Sequence, residues 1–174
     1  MNIKEMTKLS LCTALICVSS YIVIPLPFTP IMITGQTMAV NLIALILSPV
    51  HSAICIMAFI LLGASGLPVF AGGSSGLGVL FGQTGGFILG FLFAAVAISF
   101  LKGKKASLSR YLLVTIFLGI PIIHLLGAAY MGYILNITYI KALQLGVIPF
   151  LAGDLIKAVL ACIIAVRLNN YLIS

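Results

Sequence analysis

The sequence predicts an all-α integral membrane protein: one domain, residues 1–174, built as a bundle of six transmembrane helices with both termini cytoplasmic. Three observations carry this. Hydrophobic residues make up 63% of the 174 and charged residues 6%, with a mean hydropathy of +1.33. A soluble domain carries about 25% charged residues, so this chain cannot present a water-compatible surface. The apolar residues run in long stretches, not in the alternation of outer-membrane barrel strands. Lastly, basic clusters form at Lys4 and Lys8, at Lys102, Lys104, Lys105 and Arg110, and at Arg167. That grouping marks the cytoplasmic flanks of membrane helices, so the net charge of +7 is not a nucleic-acid signal.

The spans follow in order. The first covers about residues 7–24 and stops at Pro25, Pro27 and Pro30; it runs into Tyr21-Ile22-Val23-Ile24 without a convincing small-residue cleavage site, and further spans follow, so it reads as a mature helix. The second, about 35–48, ends before Pro49, and a tight link leads to the third, about 52–65. A Gly-rich loop, 66–82, precedes the fourth span at about 83–101. The basic loop 102–110 leads to the fifth, about 111–135, and a polar stretch, 136–146, to the sixth, about 147–170. Roughly 20 residues span a bilayer, so the second and third are short and are expected to tilt or re-enter. Four helices before the basic loop put all three basic clusters on one side. The Pro-rich loop 25–34, the Gly-rich loop and the stretch 136–146 then share the external side.

The chain has only two acids, and one of them, Asp154, lies in the sixth span three residues before Lys157. A charge in bilayer hydrocarbon costs roughly 2.5–3.5 kcal/mol on insertion scales, so such residues face a cavity or a partner. At this spacing the two share a helix face. Asp154 is about seven residues into its helix, or ~10 Å from the external side. The pair reads either as a structural salt bridge or as a site where a cation takes an anionic group and a carboxylate accepts N–H donors.

Nine of the seventeen glycines fall between Gly66 and Gly90. Gly86 and Gly90 suit close helix packing. Gly72, Gly73, Gly76 and Gly78 form no helical face and suggest a loop that offers backbone N–H groups to an anion or carbonyl. Gly73-Ser74-Ser75-Gly76 also matches the serine motif of intramembrane proteases, with His124 as the base. His124, however, is mid-span while Ser75 is in a loop. His51 reads as a solvated link residue. Gln36 and Asn41 must find partners in the second span. Small residues at Ser10, Thr13, Ala14 and Cys17 suit internal packing or docking of another membrane protein. Cys12, Cys17, Cys55 and Cys162 are scattered and read as small hydrophobes, not as metal ligands or a disulfide framework.

These residues resemble the BioY family of biotin-specific S components of energy-coupling factor (ECF) transporters. The resemblance rests on the Pro-rich stretch ending Ile33-Thr-Gly-Gln-Thr37, on Gly66-Leu-Pro-Val-Phe-Ala-Gly-Gly73, on Gly82-Gln-Thr-Gly-Gly-Phe-Ile-Leu-Gly90 and on Gly153-Asp-Leu-Ile-Lys157. It implies that Lys157 takes the biotin carboxylate and Asp154 accepts from the ureido N–H groups. Gln36, Gly72, Gly73, Ser74, Thr84 and Phe87 are then expected to close around the ligand, and Ser10 and Ala14 to dock the partner. Gln83 and Phe87 depart from the family's usual Pro and Tyr, which removes a hydroxyl. No Walker A loop is present. The resemblance therefore implies a transmembrane coupling protein and two cytosolic ATPases as partners, in a prokaryotic plasma membrane. No cofactor is expected. The alternatives are an S component for another anionic vitamin (lipoate- or thiamine-like), an intramembrane serine protease, or a structural membrane subunit.

Overall fold

A computed structural model describes residues 2–173, and the protein is helical apart from one short hairpin. The helices are α1 Ile3–Ser19, α2 Gln36–Ile46, α3 Pro49–Ala64, α4 Leu77–Leu80, α5 Gly85–Leu101, α6 Leu108–Val114, α7 Ile120–Leu135, α8 Tyr139–Gly146 and α9 Ile148–Ile173. Each predicted span overlaps a helix, the first only as far as Ser19, and the fifth is the near-continuous run from α6 through α7. Two helices, Leu108–Leu135 and Ile148–Tyr171, are long and apolar enough to cross a membrane; α2, α3 and α5 are shorter apolar helices. Large apolar side chains cover the outside, among them Phe100 and Phe117, each 75% exposed. A water-facing surface does not carry such a continuous apolar cover.

Local chemistry sets the boundaries. α1 opens on a capping box in which the Glu5 carboxylate accepts from the Asn2 N–H at 3.0 Å. It closes earlier than predicted, at Ser19. The Ser19 and Ser20 hydroxyls bond back to the Ile16 and Cys17 carbonyls at 2.8 and 2.6 Å. The β-branched pair Val23–Ile24 (β1) then turns extended and pairs antiparallel with Ile33–Thr34 (β2) across the proline-rich loop. Ser48 caps α3 by accepting from the His51 N–H, and Pro49 occupies the first turn, where no N–H is needed. Thr115–Gly119 form a π-turn just ahead of Pro121, whose ring and missing N–H disturb the regular ladder.

Two predicted loops contain helix. In the Gly-rich segment a 3₁₀ turn at Ala71–Gly73 and α4 fold the chain onto itself. The polar stretch 136–146 forms α8, started by Thr138, whose hydroxyl accepts from the Lys141 N–H.

α5 packs most extensively on α7. A Cβ at Gly90 would come within 2.9 Å of the Ile123 Cα, and one at Gly127 within 2.2 Å of the Phe87 ring. Only glycine permits that approach, so the packing reading of the small residues in α5 holds. α2 is central, packed by α1, α3, α5 and α9.

The two ends of the bundle differ. At one, Lys8, Lys102, Lys104, Tyr111 and Asn169 border a common hollow. Lys102 donates to the carbonyls of Ala44 at 3.0 Å, Leu45 at 2.9 Å and Leu47. Asn169 donates to Leu45 at 3.0 Å. These side chains satisfy carbonyls that the end of α2 leaves open. The hairpin, the Gly-rich segment and α8 lie toward the other end, together with Lys141, a cation outside the three predicted basic clusters.

Candidate binding site

Asp154 sits near the start of α9, 3% exposed. Its carboxylate is held from three helices. Oδ1 accepts from the Thr37 hydroxyl of α2 at 2.9 Å and pairs with the Lys157 Nζ at 2.6 Å. Oδ2 lies 2.8 Å from the Nε2 of His124, in the second turn of α7. Lys157 also donates to the Thr34 carbonyl of β2 at 2.9 Å, so two of its three donors are placed. The i, i+3 spacing read from the sequence thus produces an ion pair, and the hairpin and α7 complete its surroundings. An ionised carboxylate only accepts, so His124 carries its proton on Nε2. Its Nδ1 is buried and has no partner among the described residues.

This polar cluster lies at one side of a cavity of about 70 Å³. Sites for small molecules are mostly apolar with a few convergent polar groups. Here Phe87 and Phe91 of α5, Ile123 of α7 and Phe150 of α9 supply apolar wall, and the loop residue Phe70 closes over it. Phe70 is fully buried, its ring edge-on to Phe59 at 5.4 Å between centroids. Its seat exists because residue 63 is glycine: a Cβ there would meet the Phe70 ring at 2.1 Å. The arrangement can take a ligand that is apolar through most of its volume and carries N–H donors or an anion toward α9.

Five residues expected at the site line this cavity: Asp154, Lys157, Gln36, Thr84 and Phe87. Gln36 donates to the Val69 carbonyl at 3.4 Å, tying α2 to the Gly-rich segment. The structure places Gly72, Gly73 and Ser74 off the cavity wall. Gly72 and Gly73 take φ of 67° and 74°, which glycine adopts freely. Their N–H groups donate to the Ser20 and Phe70 carbonyls at 3.0 and 2.9 Å, and the Ser74 hydroxyl to Ala71 at 2.8 Å. The expected offer of free backbone donors is therefore not made there; the loop satisfies itself and contributes Phe70 and Ala71 instead. Ser74 borders a neighbouring hollow that Thr84 also touches.

Sequence reasoning missed Thr37 and the pairing of His124. The signal for His124 was present, since an ionisable residue inside an apolar span is a site candidate by default. No dyad with Ser75 forms among the described residues: Nε2 of His124 faces Asp154, and Nδ1 has no partner there. Ser10 and Ala14 are exposed on α1.

Fold and cavity together define a helical membrane protein built around one polar cluster in an apolar pocket. The chain belongs to the BioY family, whose description matches residues 1–174. It is 39% identical to the biotin transporter BioY of Thermotoga maritima over 96% of each chain. Identity to the biotin transporter BioY2 of Lactococcus lactis subsp. cremoris is 36%, over 94% of this chain and 89% of that one. Among solved structures, it resembles the S-component for biotin from an ECF-type ABC transporter with a TM-score of 0.90 and 29% identity. That match covers 97% of this chain and 92% of the other.

Proposed function

We propose that this chain is the biotin-binding, substrate-capturing component of an ECF-type vitamin transporter. The observation that carries the reading is the Asp154–Lys157 pair, buried at one side of an apolar cavity in a member of the BioY family. Biotin has a compact apolar ring system, two ureido N–H donors and one carboxylate. Phe87, Phe91 and Phe150 provide surface for the rings, and Asp154 an acceptor for an N–H. Lys157 takes the carboxylate, leaving Asp154 as it does so, while Thr37 and His124 keep Asp154 in place.

The short ion pair favours a second reading of Lys157. At 2.6 Å from Asp154 it cannot also reach the far end of an extended biotin. A urea carbonyl flanked by N–H groups, however, offers an acceptor and a donor side by side, matching the intact pair. Biotinol, which lacks the carboxylate, separates the two. If Lys157 meets the carboxylate, biotinol binds the wild type poorly and Lys157→Ala no worse than biotin does. If the pair reads the urea, biotinol and biotin bind alike.

The bundle has six membrane-crossing segments with both termini cytoplasmic, in a prokaryotic plasma membrane. This places the Lys8/Lys102/Asn169 end at the cytosol and the cavity in the outer half. A transmembrane coupling protein docks on the exposed Ser10–Ala14 face of α1, and two cytosolic ATPases supply the energy. Gly72, Gly73 and Ser74 shape the loop that covers the ligand, and Gln36, Thr84 and Phe87 contact it. Titration calorimetry of the purified full chain with biotin, lipoate, thiamine and riboflavin tests the function. Biotin alone is expected to bind; binding of another vitamin in its place overturns the assignment.

A further inference from the structure

His124 stands in an apolar helix, turned toward the Asp154 carboxylate, and among the described residues only one of its two nitrogens has a partner. Nε2 lies 2.8 Å from Asp154 Oδ2, which places a proton there; in the neutral ring Nδ1 is then an acceptor. The ring is buried and borders the cavity, with Phe87 set edge-on at 6.4 Å between centroids and 81° between planes. A buried acceptor left without a hydrogen bond is unfavourable, and polar side chains in this position are nearly always satisfied by something.

The neighbours narrow what that something is. With the Asp154–Lys157 pair intact, Thr37 and Lys157 donate to Oδ1 and His124 to Oδ2, so one of about four acceptor positions on the carboxylate is left. Lys157 has no acceptor to offer, and the Thr34 carbonyl already accepts from Lys157. A ligand with two N–H donors on one small ring therefore needs an acceptor beside Asp154, and His124 Nδ1 is one. We propose that His124 is a specificity-determining residue of the site, its Nε2–H anchored on Asp154 and its Nδ1 accepting one ureido N–H of biotin. The proposal rests on the biotin reading and adds to it which N–H goes where.

The test pairs changes in the protein with changes in the ligand, using the full chain and calorimetry with biotin and its two mono-N-methyl ureido isomers. On the wild type, both isomers are expected to bind at least ~10-fold more weakly than biotin, since each loses a buried hydrogen bond. His124→Gln keeps a donor at the Nε2 position and lacks an acceptor at Nδ1; His124→Asn does the reverse. In His124→Gln, biotin affinity is expected to fall about 10-fold or more. One isomer is then expected to bind as well as biotin does, and the other to keep its full penalty. His124→Asn is expected to keep both penalties. If His124→Gln binds biotin like the wild type, or retains both penalties, the proposal is overturned. If Gln36→Leu, not His124→Gln, removes one penalty, the acceptor is Gln36 and the proposal again fails. Should the variants not fold, the wild type still decides: an isomer that binds as well as biotin means that only one N–H is read. A wild type that binds none of the three compounds overturns the biotin reading itself.

Discussion

The molecule holds two lysines inside an otherwise apolar bundle, and they are solved differently. Lys157 has a carboxylate at 2.6 Å and one carbonyl. Lys102 has three carbonyls and, among the described residues, no carboxylate. A carbonyl of a helix end cannot leave, so Lys102 is fixed as the cap of α2. A side-chain partner can be exchanged for a ligand group, and the walls around Lys157 leave space for one. The same residue type is thus a structural fastener at one end and part of a site at the other. The neighbours make the difference, not the lysine.

The largest effect is expected from Asp154→Ala, which strips both Lys157 and His124 of their carboxylate. Removing one member of a buried ion pair costs about 3–5 kcal/mol. Biotin binding should vanish in calorimetry, and thermal unfolding in detergent should drop clearly. If stability falls and affinity does not, the pair is merely a second fastener and the contrast with Lys102 collapses. Lys157→Ala comes next. It leaves Asp154 with Thr37 and His124, so the fold should survive while affinity falls by ~100-fold or more, at roughly 1.4 kcal/mol per tenfold.

Lys102→Met sharpens the contrast from the other side. It frees the carbonyls at the end of α2, so thermal stability should fall by about 1–3 kcal/mol equivalent, while biotin affinity stays within about threefold. A large loss of affinity would mean that the two ends are coupled. Thr37→Val should weaken biotin by ~10-fold or less, because Lys157 still serves Oδ1.

A further prediction concerns pH. Burial, with Lys8 adding to it, pulls the Lys102 ammonium down to about 8. Its unfolded value is 10.5, so between these the unfolded chain binds the proton and the folded one does not. Stability should therefore rise from about pH 8 toward pH 10.5, and Lys102→Met should lack that rise. A flat wild-type profile would mean that the three carbonyls, accepting from the charged form, outweigh burial.

Much of this was legible in the chain. Six apolar segments, and Asp154 with Lys157 on one face of the last, follow from hydropathy and from the geometry of a helix. The family's Gly-rich and Asp-x-x-Lys motifs, set together, pointed to the right family. The helical content of stretch 136–146 was not legible, because its polar residues mask one amphipathic turn capped by Thr138. The early end of α1 was equally hidden, since nothing in the residues before Pro25 shows that Val23 will find Thr34 as a strand partner.

The sequence by itself determined the solvent, the number of apolar segments and the two charges that require a partner, because composition and helical periodicity are local properties. Only the tertiary structure decided who those partners are. Thr37, His124 and Asp154 lie on three different helices, 117 and 30 positions apart for the two bonds that join them. It also decided that the Gly-rich loop turns its N–H groups inward and presents Phe70 to the cavity. Such choices depend on which carbonyl or ring lies across the gap, and packing alone sets that.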